Sequence, residues 1–318
     1  MTIRHLPFPP TPITETNYNT NNYKSGWLIF KRDDLFELAG GGSKARMLQY
    51  ILFDATQENV DVIVTAGGPL SNFNRACALQ CASMGLKMHL ICYTDKPNEF
   101  EDSLNYFLVK LSNVQITLCD KTNVVETIAI IMENYKKKGL RAKNIYGGGR
   151  SIEGIYSYYD AVKELYSQMD NPEKLSKVFV ACGTGTTTSG LSAGLQEFFP
   201  DTELHAISVA RTADVELPII HENLKMLNDY KDTELFDGSN IRFHDEFILG
   251  SYGDTNKELI ELIRNVTSST GILLDPVYSG KAFYGMTEIL GKSNKGQVLF
   301  WHTGAVYTLL SERHLFDL

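Results

Sequence analysis

From about residue 61 onward, short apolar segments alternate with longer segments of helical period, and this alternation limits the possible folds more than any other feature. The strand candidates, rich in β-branched and apolar residues, are 61–65, 88–93, 114–118, 177–182, 203–209 and 297–302. The helix candidates are 44–57, 72–84, 124–138, 154–169, 188–198, 256–269 and 279–291. Continuously apolar strands separated by helices are typical of a mostly parallel sheet covered on both faces. The number of units predicts two doubly wound α/β domains, with ligands at the carboxyl ends of the strands.

Composition narrows the class of protein. The 318 residues are 43% hydrophobic and 21% charged, which suits one large core or two moderate ones. The net charge of −8 argues against nucleic acid or an acidic membrane surface as the main partner. The first residues, Met1 to His5, lack the apolar region of a signal peptide, and no run approaches the roughly 20 apolar residues that span a bilayer. Five cysteines without a Cys-x-x-Cys pair indicate reduced thiols and predict a cytoplasmic protein.

A run of three glycines followed by Ser43 and Lys44 precedes the first helix candidate. Glycines let the backbone approach a ligand closely, and Ser43 can cap the helix. We expect the positive end of the helix and neighbouring cations to lower the pKa of Lys44, and a neutral amine is what Schiff-base chemistry requires. Taken alone, the segment fits a flexible turn with a solvated lysine better. The glycine spacing does not match a Walker A loop.

Two further strand-to-helix junctions carry glycines and hydroxyl groups. The first contains Gly67, Gly68, Ser71 and Asn72, and its helix start would suit a carboxylate, although an ordinary helix cap is the simpler alternative. The second, Cys182–Gly190, has the glycines and hydroxyls of a phosphate-binding nest.

A dinucleotide site remains a weaker alternative for the second junction. Thr188 interrupts the G-x-G-x-x-G pattern, but Glu203 follows about 20 residues after the glycines, where such sites carry an acid. Cys182 is expected to be a core cysteine, because no histidine lies near it in sequence.

The last two segments, 274–282 and 300–305, also follow strand candidates and should reach the same crevice. Tyr278 would act as an acid or base if a cation lowered its pKa, although a core tyrosine is the simpler interpretation. His302 is interpreted as a core histidine with satisfied hydrogen bonds. The seven histidines show no metal-binding spacing, so we predict no metal site.

Taken in order, these five segments resemble the D-cysteine desulfhydrase / 1-aminocyclopropane-1-carboxylate (ACC) deaminase family, which consists of pyridoxal phosphate (PLP) enzymes of fold type II, the tryptophan-synthase-β-like group. The similarity runs from Phe8 to near Gly304 with the order preserved. It implies a Schiff base on Lys44 and a substrate carboxylate at Ser71 and Asn72, with Phe73 beside them. It also implies catalytic roles for four residues: Lys44, as the base at the substrate α-carbon, Ser71, Tyr252 and Tyr278. The cofactor-binding residues that it implies are Lys44, Asn72, Gly183, Thr184, Gly185, Thr186, Thr187, Ser279 and Thr303. Tyr278 is also implied to contact substrate, and 147–154 resembles a segment near the domain junction.

Two positions favour the desulfhydrase branch of this resemblance. The residue after Tyr278 is Ser279, where the deaminases tend to have glutamate, and the residue after His302 is Thr303, where they tend to have leucine. A hydroxyl near the pyridine nitrogen leaves the ring neutral. A neutral ring is a weaker electron sink, but it suffices for β-elimination of a good leaving group. The sequence departs from the family pattern in ways that bear on the substrate more than on the cofactor, at Ser43, Phe73, Thr186, Trp301 and Ala305. Phe73 and Trp301 predict a more apolar pocket.

The predicted protein is therefore a PLP-dependent lyase acting on a small amino acid, by β-elimination that releases pyruvate, ammonia and sulfide. ACC deamination, another PLP outcome (β-replacement, γ-elimination or racemisation) on a specialised amino acid, and a small-molecule or nucleotide-binding module remain alternatives. We expect a large PLP-binding domain formed by residues 1–47 with 159–318 and a small domain formed by residues 48–158. The resemblance further implies a homodimer.

Overall fold

The computed structural model describes residues 3–16, 18, 27–95, 100, 103–291, 296–304 and 306–316. Within them the chain forms two sheets with helices packed around them. None of the helices among these residues is long and apolar enough to cross a membrane.

The larger sheet has six strands in the order β1-β2-β10-β7-β8-β9. Strands β1 and β2 are antiparallel, and every other pair is parallel. The strands are β1 (Ile13–Glu15), β2 (Leu28–Arg32), β7 (Leu175–Cys182), β8 (Glu203–Ser208), β9 (Ile241–His244) and β10 (Gln297–His302).

The smaller sheet has four strands, all parallel, in the order β5-β4-β3-β6. They are β3 (Val62–Gly67), β4 (Lys87–Cys92), β5 (Gln115–Leu118) and β6 (Ala142–Asn144). The predicted fold class, α/β with two mostly parallel sheets, is confirmed.

Ten helices connect and cover the strands in the described part of the chain. They are α1 (Ser43–Gln57), α2 (Asn72–Ser83), α3 (Leu104–Leu111), α4 (Val124–Lys137), α5 (Ile152–Gln168), α6 (Thr186–Phe198), α7 (Ala213–Lys231), α8 (Lys257–Thr270), α9 (Ser279–Leu290) and α10 (Val306–Ser311). The domain boundaries predicted at 47/48 and 158/159 fall inside α1 and α5, and the division into two domains stays a prediction.

The core lies on both faces of the larger sheet. In β10, Leu299 and Trp301 belong to one apolar cluster, whereas Val298 and Phe300 belong to a second cluster on the opposite face. Because side chains alternate along a strand, a strand buried on both faces must be apolar at every position. The continuous apolar runs in the sequence therefore did mark central parallel strands.

Candidate active site

A cavity of about 690 Å³ opens where the carboxyl ends of strands from both sheets meet the starts of helices. The five segments singled out in the sequence all contribute to its wall, through Lys44, Ser71, the Gly183–Thr187 segment, Tyr278 and Thr303. This is the position at which open α/β sheets bind ligands. No group of three or more histidine, cysteine, aspartate or glutamate side chains in the described ranges is arranged to hold a metal ion.

Lys44 is the second residue of α1, and its amine donates a hydrogen bond to the carbonyl oxygen of Gly148 at 2.9 Å. Burial lowers the pKa of Lys44 to about 8, so the predicted direction is right, but removal from water is the cause, not neighbouring cations. Gly42, not Ser43, is the helix N-cap. Its φ of 92° and the 2.8 Å between a Cβ placed there and the carbonyl oxygen of Thr303 require glycine.

Ser71 is the N-cap of α2, and its hydroxyl oxygen accepts a hydrogen bond from the backbone N–H of Asn74. The carboxamide of Asn72 is already engaged, since its oxygen accepts from Arg75 at 2.6 Å and its nitrogen donates to Thr308 at 3.1 Å. Asn72 therefore lines the cavity with a side chain held in place by its neighbours. The anion-binding capacity of this helix start resides in the Ser71 hydroxyl proton and the first backbone N–H groups.

Phe73 also lines the cavity, although it is only 2% exposed. Its ring lies 3.3 Å from where a Cβ would project from Gly149, so it packs against the glycine segment that accepts the Lys44 hydrogen bond. The expectation that Phe73 makes the pocket more apolar agrees with this placement.

The segment Gly183–Thr187 leads from β7 into α6. Gly185, with φ of 71°, is the helix N-cap, and the hydroxyl oxygen of Thr186 is buried with no hydrogen-bond partner among the described residues. The first turn of a helix also leaves its backbone N–H groups without intrahelical acceptors. An anion is the ligand that such a concentration of donors fits.

Glu216 lies against this segment, because a Cβ on Gly185 would come within 2.8 Å of its Oε1 atom. Its other oxygen accepts a hydrogen bond from Arg211 at 2.9 Å. Burial raises the pKa of Glu216, and its bond and charge pairing with Arg211 oppose that shift.

Two expectations about neighbouring residues can now be assessed. Burial raises the pKa of Cys182 to about 12, so its thiol stays protonated and inert, as expected of a core cysteine. Glu203 is the first residue of β8, at the opposite end of that strand from the cavity, and it pairs with Lys177 at 2.6 Å. The dinucleotide alternative loses its acidic residue, because Glu203 lies at the amino edge of the sheet.

Tyr252 and Tyr278 meet at the cavity, where their hydroxyl groups hydrogen-bond to each other. Burial, and then the neighbouring Tyr252, raises the pKa of Tyr278 well above its ordinary value. The condition set for Tyr278 as an acid or base, a pKa lowered by a nearby cation, is therefore not met, and the hydroxyl stays protonated as a hydrogen-bond donor. Lys281 supports the Tyr252 loop by donating to the carbonyl oxygens of Ile248 and Ser251 at 2.6 and 3.2 Å.

Ser279 does not reach the cavity, contrary to its predicted role in cofactor binding. Its hydroxyl donates to the Asp275 carboxylate at 2.6 Å and accepts from the backbone N–H of the same residue at 2.9 Å. The Asp275 carboxylate also accepts from the backbone N–H groups of Val277, Tyr278 and Ser279. Ser279 thus fixes the turn that presents Tyr278.

Three predicted residues at the end of β10 differ in placement. Thr303 lines the cavity, whereas Trp301 is buried behind it and donates its indole N–H to Asp33 at 2.9 Å. Trp301 therefore does not make the pocket more apolar. His302 is a core histidine, since its two ring nitrogens bond to the backbone of Leu273 and Gly304. Ala305 lies outside the described residues.

Sequence reasoning missed the two arginines of the cavity wall, Arg75 and Arg211. The spacing of Arg75, one helical turn after Ser71, was the available signal, because residues at i and i+4 share a helix face. No aspartate or glutamate is among the described residues of the wall. The described wall therefore carries basic but no acidic side chains, which suits a ligand with more than one anionic group.

Comparisons with known proteins agree with this geometry. A model of the family described as "Pyridoxal-phosphate dependent enzyme" matches residues 6–304. A solved structure of an ACC deaminase homologue has a TM-score of 0.88 at 30% sequence identity and covers 99% of this chain and 95% of that one. Two others share the fold at 16% identity. A hydrogen sulfide-producing enzyme from Fusobacterium nucleatum has a TM-score of 0.67, with 92% of each chain covered. Serine racemase from Dictyostelium discoideum has a TM-score of 0.68, with 94% of this chain and 93% of that chain covered.

Proposed function

This chain belongs to the family of pyridoxal-phosphate dependent enzymes, and from that premise we propose that it is a lyase that eliminates sulfide from D-cysteine. The balanced reaction converts D-cysteine and water into pyruvate, ammonia and hydrogen sulfide. Its fold is that of the fold type II enzymes, and its cofactor is pyridoxal 5′-phosphate.

The residues of the cavity fit this cofactor. The start of α6 offers backbone N–H groups and the buried, unpartnered hydroxyl oxygen of Thr186 to a phosphate. Lys44 lies in the same cavity, where its amine can hold the cofactor covalently. When bound, the cofactor supplies an electron sink for charge that develops at the substrate α-carbon.

Lys44 is assigned the removal of the α-proton in addition to attachment. An amine with a pKa of about 8 is neutral in a useful fraction near neutral pH, and a base works best when its pKa lies near the working pH. The hydrogen bond to the Gly148 carbonyl oxygen fixes the direction of the amine.

Ser71 and the start of α2 are assigned the substrate carboxylate. The Ser71 hydroxyl and the first backbone N–H groups of the helix donate to it, and Asn72 completes the site with a side chain already fixed by Arg75 and Thr308. Phe73 excludes water next to these donors.

The pair of tyrosines is assigned hydrogen bonding to the leaving sulfur. Tyr278 remains protonated because of its raised pKa, so its hydroxyl can donate a hydrogen bond to the sulfur, and Tyr252, which is 44% exposed, connects it to solvent.

Sulfide elimination is favoured by the hydroxyl of Thr303 at the end of β10, together with the lack of any carboxylate among the described residues of the wall. A carboxylate would keep the cofactor ring protonated and make it a stronger electron sink, which opening a cyclopropane needs more than loss of sulfide does. A related hydrogen sulfide-producing enzyme of the same fold is consistent with this choice.

ACC deamination is the second candidate, because a homologue of ACC deaminase matches 99% of the chain at 30% identity. It would release 2-oxobutyrate and ammonia from ACC, without sulfide. Racemisation, β-replacement or γ-elimination of a specialised amino acid would give turnover without pyruvate.

The experiment is to supply the purified, PLP-loaded protein with D-cysteine, L-cysteine and ACC, and to measure pyruvate, sulfide and 2-oxobutyrate. We expect pyruvate and sulfide in equal amounts from D-cysteine, and loss of turnover in Lys44→Ala. Release of 2-oxobutyrate alone would replace the proposal by the second candidate. Retained turnover in Lys44→Ala would contradict the assignment of that lysine.

We also propose a cytoplasmic homodimer, following the family resemblance. Light scattering of the purified protein should give twice the 35.6 kDa of one chain. A mass of one chain at micromolar concentration would contradict the dimer.

A further inference from the structure

Arg75 is a buried cation in the wall of the cavity, with 2% of its surface exposed. Its guanidinium donates to the side-chain oxygens of Asn72 at 2.6 Å and Asn105 at 2.9 Å, and to the backbone carbonyl oxygen of Gly41 at 3.1 Å. A longer bond of 3.3 Å reaches the carbonyl oxygen of Ala39. These contacts join the glycine segment before Lys44 to the start of α2.

Every one of these acceptors is neutral. No aspartate or glutamate in the described ranges forms an ion pair with Arg75, and the aromatic ring of Tyr307, 4.6 Å from the guanidinium carbon, is the remaining favourable neighbour. Burial lowers the pKa of Arg75 to about 10. Since a buried charge without a counter-charge is costly, the described residues leave this cation incompletely compensated.

The position of Arg75 in its helix adds to the cost. The side chain of a helical residue leans toward the helix N-terminus, which places this guanidinium beside the positive end of α2. The other cavity arginine, Arg211, differs because it is paired with Glu216 at 2.9 Å. A buried residue that breaks these rules without compensation among the described side chains points to a ligand that provides it.

We propose that Arg75 is a positioning residue whose positive charge is balanced by the α-carboxylate of the bound amino acid. It acts through Asn72, which it holds at the start of α2, and its bonds to the Gly41 segment set the carboxylate site relative to Lys44. This inference rests on the proposed amino-acid substrate but not on which group leaves. It predicts that the protein discriminates between a free carboxylate and an uncharged carboxamide.

The test compares the binding of glycine and glycinamide to the PLP-loaded protein by isothermal titration calorimetry. Glycine has no β-substituent and no chirality, so binding is measured without elimination and without a choice of enantiomer. We expect Arg75→Gln to weaken glycine binding about tenfold or more, because the buried positive charge that balances the carboxylate is lost, and to change glycinamide binding about twofold or less. Equal weakening of both ligands would show a merely structural role and overturn the proposal.

Arg75→Lys provides the second variant should Arg75→Gln fail to fold. It keeps the charge but loses the forked bonds to two asparagines, so we expect a weaker preference for glycine over glycinamide that is still present. Complete loss of that preference in Arg75→Lys, or its absence in the wild-type protein, would overturn the proposal. Arg242→Gln, on the exposed end of β9, is the matched control and should bind both ligands as the wild type does.

The two proposals can fail separately. Protein that binds glycine in an Arg75-dependent way but releases no sulfide from D-cysteine would keep the role of Arg75 and reject the desulfhydrase assignment. Sulfide release with equal affinity for glycine and glycinamide would do the reverse.

Discussion

At the scale of single residues, the reactivity of Lys44 follows from its burial. Its pKa of about 8 lies below that of a solvated lysine because burial penalises the charged amine, and no cation among the described residues contributes to the shift. The reactivity of the amine therefore depends on the residues of the cavity wall that bury Lys44 at the start of α1.

The pH dependence of cofactor loading follows from that pKa. Attachment requires the neutral amine, which is the minor form below pH 8 and the major form above it. We therefore expect the rate at which the cofactor-free protein binds PLP to rise between about pH 7 and pH 9 and then level off. Stopped-flow absorbance would measure it. A rate that is constant across this range would contradict the lowered pKa.

The buried carboxylate of Asp33 shows a second residue-scale effect. It accepts hydrogen bonds from Thr11, Arg46, Tyr158 and Trp301, at 2.7 to 2.9 Å. Burial acts to raise the pKa of Asp33, but Arg46 and Lys31 lower it, so the group remains charged. A charged acceptor makes each of these bonds worth more than a neutral one.

Replacing Trp301 by phenylalanine removes one donor from this carboxylate without touching the cavity wall. We expect Trp301→Phe to lower the free energy of unfolding by about 1–3 kcal/mol and to leave KM for the substrate unchanged. Urea unfolding and steady-state kinetics would measure the two effects. A double-mutant cycle with Asp33→Asn isolates the bond, and a changed KM would mean that Trp301 reaches the substrate after all.

At the scale of elements, the start of α9 organises two tyrosines at once. Asp275 and Ser279 form the turn that presents Tyr278, and the buried amine of Lys281 in the first turn of α9 holds the backbone of the loop that carries Tyr252. Leu249, with φ of 63°, shows that this loop has an unusual backbone conformation. Lys281 and Asp254 both form hydrogen bonds to this loop.

Lys281→Met should release the Tyr252 loop, because methionine keeps the apolar stem but cannot donate to the two carbonyl oxygens. We expect kcat to fall about tenfold with cofactor binding unchanged, since a misplaced hydrogen-bond donor to the leaving group affects the chemical step. Hydrogen exchange should also speed up at 248–254. Lys257→Met, an exposed lysine on α8, is the control. Slow exchange at 248–254 in Lys281→Met would show that the loop does not need this anchor.

Elements with a continuous local pattern could be predicted from the sequence, and elements that depend on distant partners could not. Strands β7 and β10 are apolar at successive positions, so they were recognised. Strand β2 ends in Lys31 and Arg32, and two charged residues in sequence suggest a solvent-facing segment. In the structure, the distant Glu164 and the nearby Asp34 provide their counter-charges. Helix α7 was missed because Pro218 lies within it, although its buried face repeats at Ile220, Leu224 and Leu227.

At the scale of the whole molecule, the cavity is lined by loops that are far apart in the sequence. A ligand bound there should therefore stabilise the entire fold. A ligand that binds only the native state adds about 2.7 kcal/mol of stability at a concentration one hundred times its Kd. We expect the melting temperature to rise with PLP concentration, and to rise less in Lys44→Ala, which retains the phosphate site alone. Differential scanning fluorimetry would measure both, and a melting temperature independent of PLP would contradict the site.

The distribution of the cavity residues over distant loops also explains which of them could be predicted from the sequence. Glycine-rich loops after strands were sufficient to find five parts of the wall, because parallel strands bring their carboxyl ends together. The direction of individual side chains could not be predicted from these loops. Ser279 bonds to Asp275, and Trp301 bonds to Asp33. The spacing of Arg75 from Ser71 could place it on the same helix face, but its lack of a counter-charge among the described residues is visible only in the packed structure.

The order of strands in the larger sheet also determines when its strands can pair during synthesis of the chain. Strand β10 lies between β2 and β7, so that Arg32 pairs with His302, 270 residues later. At about 5–20 residues per second, a ribosome needs roughly 15–50 s to deliver that partner. During this interval β2 has an open edge toward its future neighbour, the kind of edge on which chains aggregate. Chaperones that shield nascent chains would matter most for this protein before its last strand emerges.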